Sequence, residues 1–252
     1  MRIASLAPSV TEILFELGAQ NEIVASTIFC DWPEAAKQLS KVGSWVKIDY
    51  DKLIKAAPDI VFTSSIVQGR ITLGLKERGL RVVNVNPTTL SEVVESYNQI
   101  GGLVGKSDEA AVCVNELYKQ IMGSYLLPHH KPLRVYTEEW SNPPMAAGNW
   151  VPDLVGLAGA VAGIGKSGSI SRAFDFSEIE AFDPEVIVLH YCGMGENADK
   201  GAIYRRTGWE ALTAVKNKQV HVVHDSLLNR PTSRLFEGLS HLREIFAKAG
   251  PG

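Results

Sequence analysis

The sequence has little that would tie it to nucleic acid, to the membrane interior or to a known catalytic machine. It contains no run of lysines or arginines, and its 25 basic and 28 acidic residues leave a net charge of −3, which argues against a polyanion or an anionic surface as partner. No apolar stretch reaches the roughly 18 residues that a membrane-spanning helix requires. Cysteine is scarce: Cys30, Cys113 and Cys192 stand at no motif spacing and leave one thiol over in any pairing, a pattern expected of a reducing compartment. The opening Met1-Arg2-Ile3-Ala4-Ser5-Leu6 already reads as a strand, with no basic, apolar and small-residue leader before it, so the sequence as written reads as cytoplasmic. A leader removed beforehand would leave the same chain.

Catalytic signatures are missing too: there is no G-x-S-x-G elbow, no G-x-x-x-x-G-K-[ST] and no H-E-x-x-H. Gly163-Ile164-Gly165-Lys166-Ser167-Gly168 comes near the second, but Ala160 stands where its first glycine belongs, and the stretch reads as a flexible surface loop. His129-His130, beside Pro128, reads as a solvated turn in a linker.

What is present is a chain of 252 residues, 45% of them hydrophobic, enough for one large core or two modest ones. Ser107 to Leu126 reads as one long helix: Ser107, Asp108 and Glu109 cap its start, and Ala110, Val114, Leu117, Ile121 and Tyr125 recur along one face. At 1.5 Å per residue it would span roughly 30 Å and act as a strut that limits lobe movement to a few degrees.

Strands and helices alternate on both sides of it. Val10 to Ala19 lines up with Val151 to Ala160 at an offset of 141, and Leu53 to Phe62 with Ile179 to Val188 at an offset of 126. Such a diverged duplication predicts an α/β protein of two lobes, with mainly parallel, helix-covered sheets joined by one long backbone helix. The expected divisions are 1–106 for the N-terminal lobe, 107–127 for the helix and 128–252 for the C-terminal lobe. Glu138 to Asn149 is expected to be a long polar loop.

In open α/β sheets ligands lie beyond the carboxyl ends of the strands. The strand-following segments carry Pro8, Ser9, Phe29, Cys30, Trp32, Ser64 and Ser65 in the first half, and Trp140, His190, Cys192, Asp225 and Arg230 in the second. Trp45 and Trp150 come from nearby loops. Loop tryptophans can plug the ends of a core, or they can wall a large, flat, partly apolar ligand. His190 and Cys192 follow one apolar strand and Glu138 and Glu139 another. Nitrogen, sulfur and carboxylate ligands so placed suit a transition metal, and a buried His and Cys packed as core fits the spacing equally well.

Ile3 to Gly18, Cys30-Asp31-Trp32-Pro33-Glu34-Ala35, Gly43-Ser44-Trp45, Asn142-Pro143-Pro144 and Asp225 to Arg234 together resemble the helical-backbone periplasmic binding proteins for vitamin B12 and iron chelates. Glu139-Trp140, Gly148-Asn149-Trp150-Val151-Pro152, Cys192-Gly193 and Asn229-Arg230-Pro231 are similar to cobalamin-binding members without a leader. The resemblance implies a non-catalytic protein that holds a corrinoid in a cleft between its lobes, with Pro8, Trp32, Trp45, Trp140, Asp225 and Arg230 against the ring and its amides. No cofactor is implied, and a monomer is expected. Cys30, His190 and Cys192 are further candidates for cleft or cobalt contacts.

Family members that serve an ABC permease dock through one glutamate per lobe. Asp51 and Ser177 stand at those places here, with Glu178 adjacent, which weakens a charge-dependent docking contact and leaves an intracellular carrier as an alternative to transport. Two other functions are weighed. Haem or a ferric siderophore is one, for which basic residues are few: Arg230, with Arg70 or Arg234. A metal-dependent hydrolase built on His190, Cys192 and Glu138 is the other.

Overall fold

The computed structural model describes residues 1–125 and 132–249, the Tyr125 side chain excepted. His129-His130, the Pro128 stop and the Gly250-Pro251-Gly252 tail lie outside the described residues. Among the described residues no helix is long and apolar enough to cross a membrane. The chain divides into two compact units, Met1–Pro87 with Val94–Leu117 and Thr88–Val93 with Tyr118–Gly252.

The first unit runs β1 (Ile3–Ser5), α1 (Pro8–Glu16), β2 (Ile23–Ser26), α2 (Tyr50–Lys55), β3 (Ile60–Ser64), α3 (Gly69–Glu77) and β4 (Val82–Val85). Its four strands pair in the order β2-β1-β3-β4, all parallel. β1 and β3 are central and buried throughout, which is why they read as unbroken apolar runs rather than as alternating ones. Leu6, Ala25, Leu53, Val61 and Leu75 form a core with Ile71 on one side of this sheet. Two helices, α4 (Leu90–Val104) and α5 (Ser107–Tyr125), then follow, and each contributes residues to both units. The apolar face of α5 is buried at Ala110, Val114, Leu117 and Ile121, as its spacing predicts.

The second unit holds β5 (Arg134–Ser141), β6 (Pro144–Ala146), α6 (Val151–Leu157), β7 (Val161–Ala162), β8 (Arg172–Ala173), α7 (Phe176–Phe182), β9 (Val186–Leu189), α8 (Lys200–Tyr204), α9 (Thr213–Lys216), β10 (Val220–Val222) and α10 (Leu235–Ala249). Its sheet runs β10-β9-β5-β6-β8, with β7 beside β5. β5 is parallel to β7 and β9, whereas β6 is antiparallel to both β5 and β8. The polar loop expected at Glu138 to Asn149 is therefore corrected: β5 continues to Ser141 and turns back at Asn142-Pro143 into β6. Pro144 pairs with Ser141 at the turn, where strand pairing tolerates a residue without an N–H.

The same local bonds recur at the offsets seen in the sequence. At the end of α1, Leu17 N, Gly18 N and Ala19 N donate to Ile13 O, Phe15 O and Leu14 O; at the end of α6, Ala158 N, Gly159 N and Ala160 N donate to Leu154 O, Gly156 O and Val155 O. Gly18 and Gly159 both have positive φ, +70° and +85°, the left-handed stop that glycine favours. A second repeated feature is an arginine clasp. Arg2 N binds the Asp59 carboxylate while Arg2 Nε binds Ala57 O; Arg134 N binds Glu185 while Arg134 Nε binds Asp183 O.

Candidate functional site

In the first unit the carboxyl ends of the strands carry a surface of exposed apolar side chains. Ile28, Phe29 and Trp32 follow β2, Ile66 and Val67 follow β3, and Val46 comes from the loop between β2 and α2. Trp32 is 49% exposed and Ile66 73%. Trp45 is half-buried beside Val46, and Pro8 sits half-buried at the first turn of α1.

Three buried or partly buried devices hold this surface in shape. Gln68, fully buried, donates through Nε2 to Leu6 O and Trp45 O and accepts from Ser64 N, tying the ends of β1 and β3 to the Trp45 segment. Lys41 Nζ donates to Cys30 O, Ala36 O and Ser26 Oγ, and so spans both sides of the loop that carries Trp32. Its burial lowers its pKa, opposed by Cys30 and then by Asp31. Ser65 lies at φ +62° and ψ +163°, a conformation costing a non-glycine residue about 1–3 kcal/mol. Its Oγ accepts from Val67 N and its carbonyl from Asn84 Nδ2, and the sharp turn leaves Ile66 and Val67 facing solvent.

Gly43 has a related task. At φ +140° it brings the chain so near Lys47 that a Cβ would lie 2.2 Å from the Lys47 carbonyl, which closes the Ser44–Lys47 turn under Trp45. Cys30, a candidate contact in the sequence, is corrected to a core residue: it is buried, with Sγ 3.3 Å from Thr27 Oγ1 and 3.7 Å from Ser5 O.

The second unit presents a polar rim at the ends of β5, β9 and β10. Asn229 accepts from His190 Nδ1 at 2.5 Å and donates to His190 O at 2.9 Å and to Cys192 Sγ at 3.1 Å. The two Nδ2 donations orient the amide and place the imidazole proton on Nδ1, leaving Nε2 bare; it is buried without a partner among the described residues. Cys192 in turn donates to Glu139 Oε1 at 3.5 Å, and Ser171 Oγ donates to the other carboxylate oxygen. Burial and then Glu139 push the Cys192 thiol well above its ordinary pKa, so it stays protonated. Burial lowers the His190 pKa, opposed by Glu139, Asn229, Asp225 and Glu138. Asp225 accepts from Gly193 N at 2.8 Å and Gly195 N at 2.9 Å. Trp140, 47% exposed, stands beside this rim on β5 and donates to Asn142 O.

Glu138, unlike Glu139, which sits at the irregularity in the β5–β6 pairing, takes its partners from core side chains. Fully buried, it accepts from Tyr136 at 2.6 Å, from Tyr191 at 2.5 Å and from Arg206 through both Nη atoms at 2.6 and 2.7 Å. Burial and then the Glu138 charge raise both tyrosine pKa values. The hydrolase set is thereby corrected: Glu138 is locked in the core, and among the described residues no cluster of three or more His, Cys, Asp or Glu could hold a metal ion.

Trp150 is also core, 8% exposed with Nε1 bonded to Leu228 O, and Trp209 packs edge-on against Tyr136. The Gly163–Gly168 stretch runs into β8 rather than a helix, and Gly165 packs against Ala147, so it lacks the setting of a phosphate loop. Sequence reasoning missed Lys41, Gln68 and Arg206, and it read Asn229 only as part of a motif, without its bonds to His190 and Cys192. Only the strand-end positions of the residues they hold pointed toward them.

Residues 3–227 match the periplasmic binding protein family. The chain belongs to that family. Among curated proteins it is 26% identical to the uncharacterized ABC transporter substrate-binding lipoprotein YvrC of Bacillus subtilis, over 96% of this chain and 79% of the relative. It is 24% identical to a vitamin B12-binding protein of Vibrio cholerae, over 96% and 87%. Among solved structures, a possible iron-binding, periplasmic solute-binding protein from Staphylococcus epidermidis superimposes with a TM-score of 0.81 at 26% identity, covering 97% of this chain and 98% of that one. As a member of this family of binding proteins, the chain has the α/β fold and helix-covered sheets that its sequence predicts.

Proposed function

We propose that this periplasmic binding protein family member is a non-catalytic binder of a cobalamin-like corrinoid. The observation that carries the reading is the strand-end surface of the first unit, where Ile28, Phe29, Trp32, Val46, Ile66 and Val67 stand exposed on a rigid frame. Exposed apolar side chains gathered at the ends of neighbouring strands suit a broad ring, and aromatic walls gain area at low entropy cost. The vitamin B12-binding relative supports the same choice. On this reading Pro8, Trp32, Trp45, Trp140, Asp225 and Arg230 contact the ligand, the rings covering its faces and the polar groups meeting its amides.

A second reading, an iron chelate or haem, draws on the Staphylococcus epidermidis structure. It asks for an iron ligand and for cations, and the rim offers few: His190 is buried, and the Tyr191 hydroxyl is taken by Glu138. Service to an ABC permease belongs to the proposal in a reduced form. Asp51 is exposed in the first turn of α2, but Glu178 is held by Arg172 at 2.6 Å and also caps α7, so its charge is already matched.

Calorimetric titration with cyanocobalamin, cobinamide, haemin and a ferric siderophore tests the choice. Micromolar or tighter binding of a corrinoid with a shift of its visible spectrum is the expected result. No heat and no thermal stabilisation with either corrinoid would overturn it.

A further inference from the structure

Equivalent strands of the two units end in the same way. β3 lies between β1 and β4, β9 lies between β5 and β10, and all four of these pairings are parallel. Past β3, Ser65 turns the chain at φ +62° and Ile66 emerges 73% exposed; past β9, Gly193 turns it at φ +76° and Met194 emerges 47% exposed. Gly193 stands two residues later than an offset of 126 would put the equivalent of Ser65. In each unit the turn is held by a side chain from the neighbouring edge strand or from just beyond it. Asn84 of β4 donates to Ser65 O, and Asp225, which follows β10, accepts from Gly193 N and Gly195 N on either side of Met194. Met194 N donates to Tyr191 O, so the N–H groups of residues 193–195 are all committed within the unit. What this turn offers to solvent is a thioether side chain.

We propose that Met194 is the second unit's counterpart of Ile66: an apolar ligand-contact residue, aimed by Asp225, that lies against the corrin ring and its methyl groups. This inference rests on the corrinoid reading. One exposed apolar side chain is ordinary on a protein surface. The same placement on two fixed turns at matching strand ends is a repeated design. Among the described residues of the second unit, Trp140 and Met194 are the large exposed apolar side chains at the carboxyl ends of β5 and β9; the others lie on helices, on β7 or before β8. Methionine suits the task because its unbranched, polarisable chain follows an irregular ring edge. With the turn already fixed, a ligand has little left to order on arrival.

Nuclear magnetic resonance on protein labelled at the methyl groups of its four methionines reads the contact directly. Met194→Leu identifies the Met194 signal by removing it. Saturation with cyanocobalamin should move that signal and leave the one from Met122, exposed on α5, in place. In calorimetry Met194→Ala should weaken cyanocobalamin binding about five- to tenfold, while Met194→Leu, which keeps the apolar bulk, stays within about twofold of wild type. Neither substitution should shift the ligand-free melting midpoint, as a merely structural role would. The labelled wild type and Met194→Leu carry the test should Met194→Ala fail to fold. A Met194 signal unmoved at saturation overturns the contact. So does wild-type affinity in Met194→Ala, or a loss in Met194→Leu as large as in Met194→Ala, and each of these results leaves corrinoid binding standing. Binding of neither cyanocobalamin nor cobinamide by wild type overturns corrinoid binding and this contact with it.

Discussion

Glu138 shows what one buried charge demands of its surroundings. A carboxylate with no exposure persists only if paired and fully hydrogen-bonded, and two tyrosines and a bidentate arginine meet that demand, with Arg206 stacked 4.5 Å over the Trp209 ring. Removing one partner strands the other. Glu138→Ala should therefore cost about 3–5 kcal/mol in urea unfolding, whereas loss of the exposed, solvent-screened Lys37–Glu34 pair should leave the unfolding midpoint almost unchanged. His190 makes a second prediction at this scale. Burial holds its folded pKa below its ordinary value, so its contribution to stability is complete above about pH 6.5, the unfolded value, and is lost as the pH falls from there through the lower folded one. The thermal midpoint should drop between pH 7.5 and pH 5, and His190→Asn should flatten that drop.

At the scale of the element, the loop after β2 depends on a side chain outside it. Lys41 holds carbonyls at positions 30 and 36, on both sides of Trp32. Lys41→Met should leave the sheet intact, raise hydrogen exchange across residues 30–36, and weaken corrinoid binding through a faster off-rate. Trp32→Ala, by contrast, should cost less stability than a core substitution such as Glu138→Ala, because about half of the residue is exposed, while weakening binding by about 2 kcal/mol or more.

Such hubs explain which parts of the protein were legible in its sequence. α1, α6 and the long helix announce themselves through spacing and glycine stops, and β1 and β3 through continuous apolar runs. The β5–β6 hairpin does not, because Glu139 and Ser141 alternate with residues of mixed character and the prolines read as loop. Lys41, Gln68 and Asn229 each tie together segments that the sequence keeps apart, through several hydrogen bonds apiece, and such contacts leave no periodic trace. For a related reason the sequence left core and ligand wall equally open for Trp150. It follows loop residues, yet it enters the core at the start of α6.

For the whole molecule, ligand binding should appear as stability. A corrinoid that binds only the folded chain, present at a hundred times its Kd, adds about 2.7 kcal/mol. In a chain of this length that corresponds to a rise in thermal midpoint of roughly 5–10 °C. A melting scan across ligand concentration checks it, and haemin at equal concentration should give less.

The arginine clasp and the helix stop, present in both copies, have a bearing on how the two copies diverged. The offset between them falls from 141 at the α1 and α6 ends to 126 at the segments that follow, so the first copy carries 15 more residues between those landmarks. That surplus lies in the interval containing Trp32, Lys41, Gly43 and Trp45. The first repeat thus carries its exposed Ile28, Phe29, Trp32 and Val46 on the longer connection, and the second joins the same landmarks by a shorter path.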